Sequence, residues 1–240
     1  MKLTYLLIDF FTVIIPLLFS FHPKLKFYKT WWAFFPAVIL TGLYFIIWDA
    51  YFTSLGVWGF NQQYLTGITV GNLPIEELLF FLCVPYACVF TFHCMNMFMR
   101  NSLKGKGENA VTLILITILV AAGILNYQRL YTCVTFLSLA VLLSIAKYWL
   151  KVKWLGKFYI IYTILLLPFL IVNGILTGTG LEIPVVWYNE SEIIGFRLLT
   201  IPIEDVFYGM ELILLNLLIY RYLLSRSKTR FFNKQVFGQA

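Results

Sequence analysis

Residues 73–98 read LPIEELLFFLCVPYACVFTFHCMNMF, and this stretch decides the predicted fold. After its first five residues the chain stays apolar for about 20 residues, the length with which an α-helix crosses the hydrocarbon core of a bilayer. A segment in lipid must satisfy its own backbone polar groups, so it has to be helical. The stretch therefore predicts a transmembrane helix with two acidic residues, Glu76 and Glu77, in its first turn.

The same pattern occurs a second time further along the chain. LPIEE at 73–77 recurs as IPIED at 201–205, an offset of 128 positions, and another apolar stretch follows it. A related element precedes each copy at nearly the same distance, VWGFN at 57–61 and VWYN at 186–189. The chain therefore contains an internal repeat.

The rest of the sequence indicates an all-α membrane protein. Apolar residues make up 61% of the 240 and charged residues only 12%, a balance that a soluble domain could not cover with a polar surface. We predict seven transmembrane helices and expect the fourth to be the shortest. The apolar stretches are 3–20, 31–52, 75–98, 110–126, 130–149, 158–176 and 198–219.

The repeat predicts how these helices are organised. We expect one heptahelical domain over 1–220, followed by a basic cytoplasmic tail over 221–240. Repeat one covers 1–98, a linking helix covers 110–126, and repeat two covers 130–220. Because the linking helix crosses back, the repeats are parallel and both acidic motifs begin their helices at the same end of the bundle.

The net charge is +7, and most of the basic residues fall in every second connection between the predicted helices, which places them on one side of the membrane. The basic connections alternate with ones that are uncharged, acidic or, at 127–129, carry Arg129 alone, which indicates a cell-membrane protein with its N-terminus outside and its C-terminus in the cytoplasm. The basic tail is then a solvated end facing lipid headgroups, so no nucleic-acid partner is expected. The basic segments are 21–29, 99–109, 147–157 and 221–240, and the others are 53–73, 127–129 and 177–197.

The acidic residues of the motifs have a purely structural interpretation. Proline is favoured at the first helical position, and acids in the first turn are each stabilised by about 0.3–1 kcal/mol at the positive end of the helix dipole. However, the motif occurs twice, and an ionisable group near lipid depth costs about 2.5–3.5 kcal/mol and usually has a function. We therefore predict Glu76, Glu77, Glu204 and Asp205 as catalytic residues.

Adjacent residues on a helix point in different directions, so the two acids of one motif cannot face the same point. We expect one acid from each motif to face a shared cavity. Burial favours the neutral form of a carboxyl, and two neighbouring carboxyls do not both ionise readily. One protonated and one ionised group form the acid and base of a proton-transfer reaction.

Other residues near the motifs are candidates for substrate binding. Glu211 lies two turns after Glu204 on the same face, although a structural pairing with Asn216, Arg221 or a tyrosine is equally consistent with the sequence. Asp49 and Asn173 end matching helices and could orient the motif loops or cap helix ends, and Asp9 is a weaker candidate within the first span. Aromatic rings could line a cavity that stabilises a cation. The predicted substrate-binding residues are Asp49, Trp58, Asn61, Phe80, Phe81, Trp187, Phe207 and Glu211.

The sequence contains no pattern typical of a metal or cofactor site. His22 and His93 are far apart, and the spacing of Cys83, Cys88 and Cys94 fits neither a metal site nor a redox pair. There is no glycine-rich nucleotide motif. We expect no cofactor and no metal, and we interpret the cysteines, including Cys133, as core residues.

The duplicated Pro-x-Glu-(Glu/Asp) motif with its upstream element resembles the small integral-membrane lycopene cyclases. These are the heterodimeric bacterial type, whose two subunits are fused in archaeal, fungal and some bacterial proteins. The resemblance extends from the first span to about Arg221 and is closest to the fused form. The second copy carries Asp205 where the first has Glu77, and its upstream element is shorter, so the halves are not equivalent.

The resemblance implies a redox-neutral isomerisation of a lipid-soluble carotenoid. The ψ end of lycopene is protonated, the cation is attacked by a neighbouring double bond, and loss of a proton leaves a β-ring, giving γ-carotene and then β-carotene. The alternatives are a carotenoid hydratase, a non-enzymatic carotenoid-binding protein or a proton-conducting membrane protein. The sequence leaves open which carboxyl is the acid, and it does not give the oligomeric state.

Overall fold

The structure is a computed structural model that describes residues 2–99 and 102–237, with side chains described as far as Arg226. Six helical segments in this part are long and apolar enough to cross a membrane, and a shorter apolar helix precedes them. The helices are α1 (Thr4–Phe19), α2 (Trp31–Ser54), α3 (Ile75–Phe98), α4 (Lys106–Leu125), α5 (Leu130–Ser144), α6 (Leu155–Leu176) and α7 (Ile203–Phe237).

The helix lengths differ from the prediction at the fourth helix and at α7, whereas α5 agrees with the predicted 130–149 once its last turn is included. The fourth helix was expected to be the shortest, but α4 has 20 residues and α1 has only 16. A π-helical turn, Ile145–Trp149, extends α5 to the length of a span. Helix α7 continues to Phe237, so the predicted boundary between domain and tail at 220 falls within a helix.

Short strands form the connections at the end of the bundle where α3 and α7 begin. Three antiparallel pairs are present in the described residues, and the first of them joins the two halves of the chain. The strands β2 and β3 form one hairpin before α3, and β5 and β6 form another before α7. The strands are β1 (Trp58–Phe60), β2 (Thr69–Val70), β3 (Leu73–Pro74), β4 (Val186–Tyr188), β5 (Arg197–Leu198) and β6 (Ile201–Pro202).

The helices pack around a central contact between α3 and α7. Helices α1 and α2 lie against α3, helix α5 lies against α7, and α4 packs mainly on α5. The largest core cluster includes Phe27, Phe34 and Tyr86, whose rings contact one another. This packing leaves α1 and α6 as near neighbours with few contacts between them.

Hydrogen bonds tie the basic connections together at the opposite end of the bundle. His93 Nε2 lies 3.0 Å from the Leu25 carbonyl oxygen, and Lys157 donates to the Met99 carbonyl at 3.0 Å. Glu108 accepts from Lys147 at 2.5 Å and from the Gly156 amide at 3.1 Å. Of the basic residues used in the topology prediction, Arg100 and the side chains of Lys228, Arg230 and Lys234 lie outside the described residues.

Candidate active site

The first acid of each motif binds the loop that precedes its own helix. Glu76 Oε1 accepts a hydrogen bond from the Thr66 amide at 2.7 Å, and Glu204 Oε1 accepts one from the Ile194 amide at 2.7 Å. Each amide lies ten residues before its acid, so the two bonds are equivalent under the sequence repeat. Both side chains are fully buried. Glu76 and Glu204 therefore fix the loops in place.

The prolines of the motifs lie one position earlier than predicted. Pro74 has an extended conformation (φ −69°, ψ 151°) in strand β3, and α3 begins at Ile75. Pro202 likewise ends β6 immediately before α7. The proline therefore ends a strand at the helix cap instead of occupying the first helical turn, and the two acids follow directly in that turn.

The second acid of each motif faces one shared cavity of about 660 Å³. Asp205 accepts three hydrogen bonds, from Tyr131 Oη at 2.7 Å, Tyr188 Oη at 2.9 Å and Asn173 Nδ2 at 2.9 Å. Burial and the nearby Asp205 carboxylate raise the pKa of the Tyr188 hydroxyl well above its usual value, which keeps it a donor. Asp205 therefore has at least one hydrogen-bond donor on each of its two oxygens.

Glu77 has fewer partners than Asp205. Tyr5 Oη donates to Glu77 Oε2 at 2.5 Å, and Oε1 has no hydrogen-bond partner among the described residues. Asp205, by comparison, is held by three donors. The two carboxyls therefore differ in how many hydrogen bonds they accept.

A third carboxyl, Asp49 in the last two turns of α2, also lines the cavity. Its Oδ1 accepts from Trp58 Nε1 at 2.5 Å, and its buried Oδ2 has no partner among the described residues. This bond links α2 to strand β1. The cavity thus has three carboxyls at one end.

The paired strands β1 and β4 cover that end of the cavity. Trp58 lies opposite Tyr188, Gly59 opposite Trp187, and Phe60 opposite Val186. A β-carbon on Gly59 would lie 2.4 Å from Cζ2 of Trp187, so the Trp187 ring occupies the space of a side chain at this position. The pair of strands β1 and β4, called the roof below, therefore has room only for a glycine at position 59 while Trp187 holds this position.

Aromatic rings surround the carboxyl end. Tyr131 packs against Trp58 with ring centroids 5.0 Å apart and stacks on Tyr188 at 5.9 Å. Tyr208 lies 6.4 Å from Trp58 and 6.2 Å from Tyr131, and its hydroxyl has no hydrogen-bond partner among the described residues. Phe80 also lines the cavity. Electron-rich ring faces beside carboxylates stabilise a cation.

Beyond the carboxyls the cavity is apolar and elongated. It runs between α1, α3, α6 and α7, with lining residues from Thr4 to Pro16 on α1 and from Glu77 to Thr91 on α3. At 1.5 Å per residue, the α3 part spans about 20 Å. The shape and lining fit a long apolar molecule whose end reaches the carboxyls.

The structure brings five of the twelve predicted site residues to the cavity: Asp49, Trp58, Glu77, Phe80 and Asp205. The other seven do not line this cavity, and their roles stay predictions. Glu76 and Glu204 hold the loops, as described above. Asn61 caps a loop by accepting from the Gln63 amide at 3.1 Å.

The remaining four pack on other elements. Phe81 stacks on Phe45, and Phe207 contacts Phe136. Trp187 lies over Gly59 on the outer side of the roof. Glu211 accepts from Ser138 of α5 at 2.7 Å and not from Asn216, Arg221 or a tyrosine, the partners considered from the sequence.

Sequence reasoning missed the tyrosines that hold the carboxyls. Tyr5 in the first turn of α1 binds Glu77, and Tyr131 in the first turn of α5 binds Asp205. A tyrosine at the start of the first helix of each repeat was a signal that could have pointed to them. Asn173 was noted only as a possible cap, but its amide binds Asp205. Asp9 is buried next to this region without lining the cavity.

A sequence profile of the family described as lycopene cyclase matches this chain over residues 2–95 and 128–223. The chain belongs to the lycopene cyclase family. Between the two matched segments lies α4 with its flanking loops. The match therefore covers both acidic motifs, both roof strands and every residue that lines the cavity.

A curated relative from Aspergillus niger, a bifunctional lycopene cyclase/phytoene synthase, is 28% identical to this chain over 82 residues. The alignment covers 32% of this chain and 14% of the relative, so the chain corresponds to a small part of that protein. No solved structure matches the chain.

Proposed function

We propose that this protein is a lycopene β-cyclase, an isomerase of the intramolecular-lyase class that forms β-rings at the ψ ends of lycopene. The observation that carries the proposal is the meeting of Glu77, Asp205 and Asp49 under an aromatic roof, at the closed end of an apolar cavity. Family membership supports a cyclisation of lycopene. The acid–base chemistry and the ring type are our inference from the site.

The reaction needs a proton donor, a cation-stabilising pocket and a proton acceptor. A carboxylic acid adds a proton to the terminal double bond of the ψ end, leaving a tertiary cation. The next reacting double bond attacks this cation, closes a six-membered ring and moves the positive charge to a ring carbon. Loss of a proton from the adjacent ring carbon forms the β-ring. Because one proton is gained and one is lost, the reaction needs no oxidant or reductant.

Glu77 is the proposed proton donor and Asp205 the proposed counter-charge and proton acceptor. Glu77 has a single donor partner and a free oxygen toward the cavity, which suits a neutral acid. Asp205 is held by three donors, which suits a carboxylate that stabilises the cation and then removes a proton. Asp49, bonded to the Trp58 ring that lines the pocket, adds a second negative group at this end.

Glu76 and Glu204 are proposed as positioning residues. They hold the backbone of the loops that carry the roof, so they act on the reaction through the shape of the cavity. Because neither side chain lines the cavity, neither is proposed to exchange a proton with the substrate. This assignment narrows the four predicted catalytic carboxyls to two.

The two-repeat arrangement is also a proposal. It is supported by the equivalent loop bonds of Glu76 and Glu204, and by Asn189, which caps its loop through the Ser191 amide as Asn61 caps the other. The antiparallel pairing of Gly59 with Trp187, at the repeat offset, fits a two-fold axis through the roof. In this arrangement the short helix α1 also crosses the membrane, which brings the number of spans to seven. The positive-inside rule then places the end of the bundle that carries the basic connections in the cytoplasm.

Expression in cells that accumulate lycopene tests the proposed function. The predicted result is conversion to γ-carotene and β-carotene, identified by chromatography and by an unchanged molecular mass. A product heavier by one water would instead identify a hydratase, since water would then have captured the cation. Unchanged lycopene, with the protein present in the membrane, would contradict both.

A further inference from the structure

We infer that the carotenoid enters the cavity sideways from the bilayer, end group first, through the gap between α1 and α6. This inference rests on the proposed function for the identity of the molecule that enters. The opening itself follows from which cavity-lining residues are also exposed. It assigns a portal to helices that carry none of the acidic motifs.

Five residues line the cavity and are also exposed on the outside of the bundle. On α1 these are Leu7 (49% exposed), Phe11 (66%) and Ile15 (62%), and on α6 they are Pro168 and Ile171 (61%). A side chain lines a cavity and faces outward only where the cavity wall is open. The exposed lining is apolar, so the opening suits entry from lipid and not from water.

The carboxyl end is closed by contrast. Asp49, Glu77 and Asp205 are all buried, and Trp58 of the roof is 5% exposed. The bond from Trp58 to Asp49 and the β1–β4 pairing hold this cover in place. A substrate that approached from the aqueous side would have to displace the roof, whereas the gap between α1 and α6 is already open.

The length of the cavity sets how much of the substrate enters. Its lining on α1 extends from Thr4 to Pro16, about 18 Å at 1.5 Å per residue. A linear carotenoid is longer and is comparable to the hydrocarbon thickness of a bilayer, about 30 Å. One end group therefore reaches Glu77 and Asp205 while the remainder of the polyene stays in the gap and the lipid.

Matched tryptophan substitutions test the portal in proteoliposomes that contain lycopene. Ile171→Trp adds bulk at the opening, whereas Leu167→Trp adds the same bulk one turn away, at a residue that is 70% exposed but does not line the cavity. Phe11→Trp and Phe10→Trp form the same comparison on α1, where Phe10 is 51% exposed and away from the cavity.

The initial rate of lycopene conversion should fall about tenfold or more in Ile171→Trp and Phe11→Trp, because a filled opening must distort to admit the polyene. The two controls should stay within about twofold of the wild-type rate, since single surface changes usually have small effects.

A second variant and a second readout keep the test decisive. Ile171→Ala, which widens the opening, should convert lycopene at least as fast as the wild type, so loss of activity in Ile171→Trp alone is not a general intolerance of position 171. Equal rates in the lining and control variants of an active protein would overturn the portal and leave the proposed function intact. If the wild type does not convert lycopene, the proposed function fails. In that case the portal is tested by the uptake of lycopene from donor liposomes into nanodiscs that contain the protein. The portal is overturned if the wild type takes up no lycopene, or if Ile171→Trp and Leu167→Trp take up lycopene equally.

Discussion

The two adjacent glutamates of the first motif give the sharpest prediction. Glu77 faces the cavity with one oxygen free, whereas Glu76 is fully buried and bonded to the Thr66 amide. The substitutions Glu77→Gln and Glu76→Gln each remove one ionisable carboxyl and preserve the size of the side chain. Any large difference between them therefore reports on position and not on chemistry.

The expected magnitudes follow from these contacts. Glu77→Gln leaves no proton donor at the free oxygen, and loss of general acid catalysis lowers the rate by about 10²–10⁴-fold. In Glu76→Gln the side-chain oxygen still accepts from the Thr66 amide, but the new Nε2 donor takes the place of Oε2, which is buried without a partner among the described residues. A buried donor without a partner lowers the free energy of unfolding by about 1–3 kcal/mol. Because Glu76 does not line the cavity and its bond to the Thr66 loop is kept, activity in Glu76→Gln should stay within about tenfold of the wild type.

The assay is the initial rate of lycopene loss in isolated membranes, normalised to the amount of inserted protein. Thermal unfolding of the purified variants in detergent provides the stability control. If Glu76→Gln is as inactive as Glu77→Gln while both unfold near the wild-type temperature, the proposed roles of the two acids are wrong. Near-normal activity in Glu77→Gln would remove Glu77 as the acid.

Four further predictions follow from the same contacts. Asp205→Asn should lower the cyclisation rate by about 100-fold or more, because it removes the counter-charge of the cation and the proton acceptor, and pigment chromatography measures it. Tyr208→Phe should retain more activity than Tyr208→Leu if the ring face stabilises the cation, and equal loss would assign the role to the hydroxyl instead. Gly59→Ala should lower the unfolding temperature because its β-carbon meets Trp187, and Trp187→Ala in the same chain should restore it, whereas no restoration would refute this packing. Time courses should show free monocyclic carotenoid before the bicyclic product, because one carboxyl site accepts one end at a time. Simultaneous appearance of both would contradict single-ended binding.

The helices could be predicted from sequence because a span needs a continuous apolar stretch of fixed length. That signal located α2 to α7, and the doubled motif located the starts of α3 and α7. The apolar stretches predicted the relative lengths of the helices less well, since α1 is shorter than its apolar stretch of 3–20. Apolar composition continues into the loops, where the chain turns without a change of polarity.

The orientation of individual side chains could not be predicted. The helices are apolar on the faces that pack and on the faces that meet lipid, so periodicity does not separate Phe80, which lines the cavity, from Phe81, which packs on α2. The sequence predicted that one acid of each motif faces inward but not which one. That choice depends on the Thr66 and Ile194 amides, which are brought to Glu76 and Glu204 by loop folding. The position of Trp187 outside the cavity lining has a related reason, because the β1–β4 pairing places its ring over Gly59.

Whether a protein carboxyl starts the cyclisation is tested by the mass of the product formed in deuterated water. If a carboxyl of this protein starts the reaction by protonating the end group, each ring formed carries one deuterium, since the added proton comes from an exchangeable acid and the lost one from the substrate. One added mass unit is therefore expected in the monocyclic product and two in the bicyclic product. Rings formed without deuterium would contradict it, because ring closure would then not begin with a proton from an exchangeable acid.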